Sequence, residues 1–169
     1  DIDIKAHARL GGRVLGLCGG YQMLGRFIHD PGGIEGPPAS VPGLGLLDVE
    51  TTLTANKSLV QVQALHAASQ LPISGYEIHL GETLGGDCAR PFAMIGNRPD
   101  GATSSNGLVE GTCLHGCFAS DAFRTAYLGG LGIVSKALAF EQTIEDTLDA
   151  LSEHIAASID LETLLEIAR

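Results

Sequence analysis

The sequence has no tryptophan, only 5% aromatic residues, and half as many basic residues as acidic ones, ten Lys and Arg against twenty Asp and Glu. A formal net charge of -10 excludes the basic footprint that releases counterions from a phosphate backbone, so neither nucleic acid nor an anionic membrane surface is an expected partner. No apolar run approaches the roughly 20 residues that cross a bilayer. The start, Asp1-Ile2-Asp3-Ile4, has neither the basic nor the apolar region of a signal peptide, and a cytoplasmic protein is expected. Cysteine is sparse as well: Cys18, Cys88, Cys113 and Cys117 lack the density of a disulfide-stapled secreted fold, which points to reduced thiols.

What is present is 169 residues at 44% hydrophobic content, enough for one globular domain with a sizeable core. Residues 13–17 form a short apolar run that predicts a buried strand, and residues 21–28 suit a following helix. Four prolines between Asp30 and Gly45 predict an irregular surface loop, a candidate neighbour of the active site. Strands are predicted over 46–52, 59–65, 73–80, 92–95 and 108–114, with turn chemistry at Asn97-Arg98-Pro99-Asp100-Gly101. Ser120 is placed to cap a helix reaching Leu128; Ile144, Leu148, Leu151 and Ile155 recur at helical spacing, and Asp160 starts a last short helix. This mixture of strands and helices indicates an α/β domain with one central sheet.

The segment richest in chemistry is Gly16-Leu17-Cys18-Gly19-Gly20, a G-x-C-x-G pattern between a predicted strand and a predicted helix. It has the form of a nucleophile elbow, in which glycines two residues either side relieve crowding around a strained nucleophile. The helix that follows favours a thiolate, and the N–H of Gly19 is placed to donate to an oxyanion. The plainer reading, a small buried cysteine in a glycine-rich turn, explains less of the pattern. A nucleophilic thiolate needs a base, and His is the usual one. His7, His29, His66 and His154 sit in polar, loop or helical contexts. His115 closes the apolar run of Glu110-Gly111-Thr112-Cys113-Leu114-His115-Gly116 and is the better candidate, with His79 in Gly75-Tyr76-Glu77-Ile78-His79 as its rival.

Here a resemblance becomes specific. Leu15-Gly16-Leu17-Cys18-Gly19-Gly20-Tyr21-Gln22-Met23-Leu24-Gly25 is similar to the nucleophile segment of the cobyric acid synthase family. The blocks Gly43 to Thr51, Ser74 to His79, Asp100-Gly101-Ala102 and Gly111 to Gly116 resemble that family in the same order. The resemblance implies a class I glutamine amidotransferase-like, flavodoxin-like three-layer domain with a central, mostly parallel sheet. Residues 1–169 would be the glutaminase domain, short at its N-terminus of early strands and of a loop giving a second oxyanion donor, so the chain alone is expected to be weakly active or inactive. It further implies Cys18 as nucleophile, His115 as base, Gly19 as oxyanion donor, and Gln22 with Tyr76 as glutamine contacts. The ammonia would serve an N-terminal synthetase domain of the same polypeptide, where ATP and Mg act on the carboxylates of adenosylcobyrinic acid a,c-diamide. No cofactor is expected in the glutaminase domain itself.

Two departures stand out. Many class I amidotransferases place Glu two residues after the His, whereas here that position is Cys117, leaving a Cys-His dyad or recruitment of Glu77, with Asp121 a further option. There is also no G-x-x-x-x-G-K-[ST] loop for a nucleotide. The main alternative from another class is a metal-binding module, because Cys113, His115 and Cys117 alternate along a predicted strand and so share a face, with Cys88 as a fourth ligand. It leaves Cys18 unexplained. Another Cys-His hydrolase of related fold, or a glutamine-binding domain without chemistry, are lesser alternatives.

Overall fold

The computed structural model describes residues 2–134 and 139–168, at 56–58, 79 and 161–162 by their backbone alone. Its elements run α1 (Ile2–Arg9), β1 (Val14–Leu17), α2 (Gly19–Leu24), β2 (Phe27–Asp30), β3 (Ala39–Pro42), β4 (Glu50–His66) and β5 (Pro72–Leu84). They continue as β6 (Ala93–Ile95), β7 (Arg98–Asp100), β8 (Ala102–Thr103), β9 (Val109–Thr112), β10 (Leu114–His115), α3 (Asp121–Gly130), α4 (Phe140–Ser158) and α5 (Leu161–Ile167).

β1 is the strand that carries the elbow, and it is half-buried rather than buried as expected: Gly16 is buried, Val14 and Leu15 pack against core on opposite faces, and Leu17 is exposed at the end that leads to Cys18. It pairs in parallel with β9, Val14 beside Val109 and Leu17 beside Thr112, in a sheet ordered β1-β9-β8. Pleating sends Val14 toward one apolar cluster, with Tyr21, Leu24 and Val49, and Leu15 toward the other, with Ile73, Phe92 and Phe123. A strand covered on both faces needs the continuous apolar run seen here, and a layered α/β class follows from it.

The parallel character expected of a single central sheet is confined to two ladders, β1 with β9 and β2 with β4. The remaining strands form a second sheet ordered β10-β5-β4-β2-β3, dominated by the antiparallel β4–β5 pair. The reason is local: only residues 67–71 separate those two strands, too few for the crossover that parallel neighbours require. β4 joins two predicted strands into one, with a register irregularity between Thr52 and Lys57 where a break was expected.

Four further expectations are corrected. The helix after the elbow ends at Leu24 and not at Ile28, since a Cβ on Gly25 would lie 2.7 Å from the Val49 carbonyl and the Arg26 amide donates to that same oxygen at 2.8 Å, which starts β2. The proline-rich loop contains β3 and lies at the opposite edge of the second sheet from β10, away from the His115 end. The turn at 97–101 is tighter than expected: it is formed by Gly96, at φ 60°, with Asn97, while Arg98 to Asp100 pair back as β7 against β6. Ser120 does precede α3, but its hydroxyl accepts from the Ser74 amide at 2.9 Å instead of capping the helix.

Candidate active site

At the end of β1 the Cys18 amide donates to the Thr112 carbonyl at 2.9 Å, continuing the ladder one residue past the strand. Cys18 itself has φ 52° and ψ −117°, a backbone conformation that costs a non-glycine residue of order 1–3 kcal/mol. This is the strained turn that the G-x-C-x-G pattern predicts. Gly16 is required by it, because a Cβ there would lie 2.7 Å from the Gly20 backbone and 2.6 Å from the Leu24 side chain. Gly20 differs from expectation: a Cβ on it would meet open space, so its backbone, not its missing side chain, is what crowds the turn. On β9 Gly111 lies so close to the Tyr21 ring that a Cβ would overlap it.

The Cys18 thiol donates to the Ile78 carbonyl at 3.6 Å, which brings the elbow onto β5. β10 brings His115 to the same stretch of β5, opposite Tyr76, and the two rings stack with centroids 5.2 Å apart and planes 11° from parallel. Gly75 makes that approach possible, since any Cβ would strike the His115 carbonyl. Gly116, left-handed at φ 73°, then turns the chain away. His115 Nε2 is buried and has no hydrogen-bond partner among the described residues. For the rival His79, the side chain lies outside the described residues.

Glu77 is buried at 5% exposure and sits between Tyr76 and Ile78, so the pleat turns it away from the stacked rings. Its Oε2 accepts from Arg98 Nη2 at 2.6 Å, and among the described contacts no hydrogen bond joins it to His115. Asp121, the other acid considered, accepts instead from Arg124 at 2.6 Å and from the Phe140 amide at 3.2 Å. Gln22 lines a cavity of about 480 Å³ together with Tyr21, Glu77, Arg98, Asp100 and Cys113. Tyr76 is not part of its wall. Burial, with Asp100, Cys18 and Glu77 nearby, pushes the Cys113 thiol up to about 12; burial likewise takes Cys117 to about 11 and raises Cys88.

The metal-binding alternative loses its geometric basis. The strand ends at His115, and the left-handed Gly116 breaks the alternation on which a shared face depended. Cys117 then enters the core beside Ile73 and Phe123, while Cys113 packs against the cluster on the other side of β1. Among the described residues no three His, Cys, Asp or Glu side chains are grouped to hold a metal. The residues that sequence reasoning missed are Arg98 and Cys113 as partners of Glu77 and Cys18. Arg98 carried only a turn signal, and the contact spans 21 positions.

The elbow, the layered α/β fold and the β10 histidine define a class I glutamine amidotransferase-like domain. The chain belongs to the CobB/CobQ-like glutamine amidotransferase domain family, whose model matches residues 1–123. It is 53% identical to a cobyric acid synthase of Cereibacter sphaeroides, and 54% identical to those of Bradyrhizobium diazoefficiens and Paracoccus denitrificans, over the whole of this chain in each case. The chain spans 35% of the length of each of these relatives, corresponding to their C-terminal part. No described helix is long and apolar enough to cross a membrane.

Proposed function

We propose that this chain hydrolyses glutamine through Cys18 and delivers the ammonia to a synthetase segment of the same polypeptide. That segment would amidate peripheral carboxylates of adenosylcobyrinic acid a,c-diamide, and it is where ATP and Mg would act. The observation that carries the reading is the Cys18 backbone: strain at φ 52° on a strand-to-helix turn has a use when it exposes a nucleophile.

In the reaction, the Cys18 thiolate attacks the side-chain carbonyl carbon of glutamine, and the oxygen becomes an oxyanion that the Gly19 amide stabilises. His115 gives a proton to the departing nitrogen, the C–N bond breaks, and ammonia leaves a glutamyl thioester on Cys18. Water then adds to the thioester as His115 takes its proton, and collapse returns the thiolate and free glutamate. Gln22 lies one helical turn from Cys18 and lines the cavity, the right place to contact the bound amino acid. Tyr76 would fix the imidazole by stacking. The test is Cys18→Ala in the longer polypeptide: glutamine-dependent amidation should vanish while amidation from added ammonia persists. Loss of both, or of neither, would refute the division of labour. Assaying glutamine hydrolysis by this chain and by the longer polypeptide side by side measures what the additional length contributes.

A further inference from the structure

The cavity beside the elbow holds a buried carboxylate that the proposed chemistry does not use. Glu77 has its side chain 6% exposed, one carboxylate oxygen on Arg98 and the other, Oε1, buried with no hydrogen-bond partner among the described residues. An unpaired buried carboxylate oxygen is costly unless something external satisfies it. Its neighbours on the wall do not: Asp100 is bonded by the Thr112 hydroxyl, and no hydrogen bond joins Cys113 to Glu77 among the described residues. Arg98 is its complement, half-exposed, with one N–H of its five given to Glu77 and donors left over.

These two charges stand close to the nucleophile. The Cys18 thiol touches the Ile78 carbonyl, the residue after Glu77, and Cys113 has both Cys18 and Glu77 within electrostatic reach. We infer that Glu77 and Arg98 form the seat for the amino-acid end of L-glutamine, the α-ammonium on Glu77 Oε1 and the α-carboxylate on the Arg98 guanidinium, with the side-chain amide directed to Cys18. The inference rests on the glutaminase reading, and it makes Glu77 a specificity-determining residue in place of an orienting acid for His115. Glu82 and Asp100 share the wall, so three carboxyl groups face one guanidinium there. That balance accepts a zwitterion and disfavours a bare anion.

Cys18 labelling in the longer polypeptide tests this, using the diazoketone analogue of L-glutamine, with iodoacetamide as a reagent that lacks the amino-acid end. L-Glutamine should protect Cys18 at concentrations at least about 10-fold lower than glutaric acid monoamide, which is glutamine without its amino group. Glu77→Gln should lower the ratio of diazoketone to iodoacetamide labelling rates by roughly 10- to 100-fold, and should bring glutamine's protection down to that of the monoamide. Equal protection by the two ligands in the unaltered protein, which requires no variant to fold, would overturn the proposal. So would an unchanged rate ratio in Glu77→Gln. If the diazoketone fails to label Cys18 in the unaltered protein while iodoacetamide succeeds, the glutaminase reading itself falls and takes this proposal with it.

Discussion

Two apolar stretches of the chain, β1 and α4, follow the same hydrophobic arithmetic to opposite results. β1 places Val14 and Leu15 against different core clusters and is fixed residue by residue to β9, so the strained turn at Cys18 has a rigid support on both faces. α4 is longer and strongly periodic, yet none of its residues is buried, and Leu148 and Leu151 are each 51% exposed. Its ties to the rest include the Phe140 amide on Asp121 and the Arg124 guanidinium 5.9 Å over the Phe140 ring. The family match ends at residue 123, between these two regions. Periodicity therefore predicts an element, while burial depends on what lies across from it.

The largest expected effect is at the elbow. Cys18→Ala should reduce glutamine hydrolysis by at least about 10³-fold, as removal of a covalent nucleophile does. Cys18→Gly should be equally inactive but more stable than Cys18→Ala by about 1 kcal/mol, because glycine tolerates φ 52° and alanine does not. Denaturant unfolding of the pair measures this, and equal midpoints would mean that the turn relaxes. Iodoacetamide labelling followed by peptide mapping should find Cys18 modified ahead of the other three thiols, since burial keeps Cys88, Cys113 and Cys117 protonated.

Next comes the core that supports the elbow. Phe123 is fully buried in the cluster that receives Leu15, and Phe123→Ala should cost about 3–5 kcal/mol. His66 lies in the same place, its ring 4.9 Å from Phe92 and 5.0 Å from Phe123, with Nδ1 paired to the Ser69 hydroxyl and Nε2 without a partner among the described residues. Burial holds it below the ordinary histidine value, the Glu110 carboxylate opposing the shift. The sign follows: the unfolded chain takes up the proton first, so stability is intact above the unfolded value of about 6.5 and declines as pH falls below it. His66→Phe should flatten that slope between neutrality and the range where carboxylates titrate. Thermal denaturation across pH, compared for the two proteins, checks it.

Much of the site was legible because its signals are local. The elbow needs glycine at 16 and a strand-turn-helix frame, all within the eleven residues from Val14 to Leu24, and the ordered blocks around Tyr76 and His115 marked the two strands that pair beside it. What could not be read were facts of pairing. The Glu77–Arg98 contact depends on β7 folding back, the placement of Cys113 and Cys117 on opposite sides of β1 depends on one left-handed glycine, and the antiparallel β4–β5 pair depends on a connection five residues long. The G-x-C-x-G pattern gives Gly16 and Gly20 the same role, whereas in the fold Gly16 is the position with no room for a Cβ and Gly20 faces open space.

The smallest expected effect tests the other side of the comparison. Leu148 occupies the apolar row of α4 with Ile144, Leu151 and Ile155, but half of its surface is already in water, so its removal gives up little transfer free energy and leaves no enclosed cavity. Leu148→Ala should therefore change the stability of this chain by no more than about 0.5 kcal/mol, against several for Phe123→Ala. Alanine's helix propensity, the best of any residue, offsets part of even that loss. Guanidinium unfolding of the two variants beside the parent protein gives both numbers in one experiment. A cost of about 2 kcal/mol or more at Leu148 would mean that the row is covered in solution, and repeating the measurement in the longer polypeptide would then separate a contact within this chain from one made by the additional length.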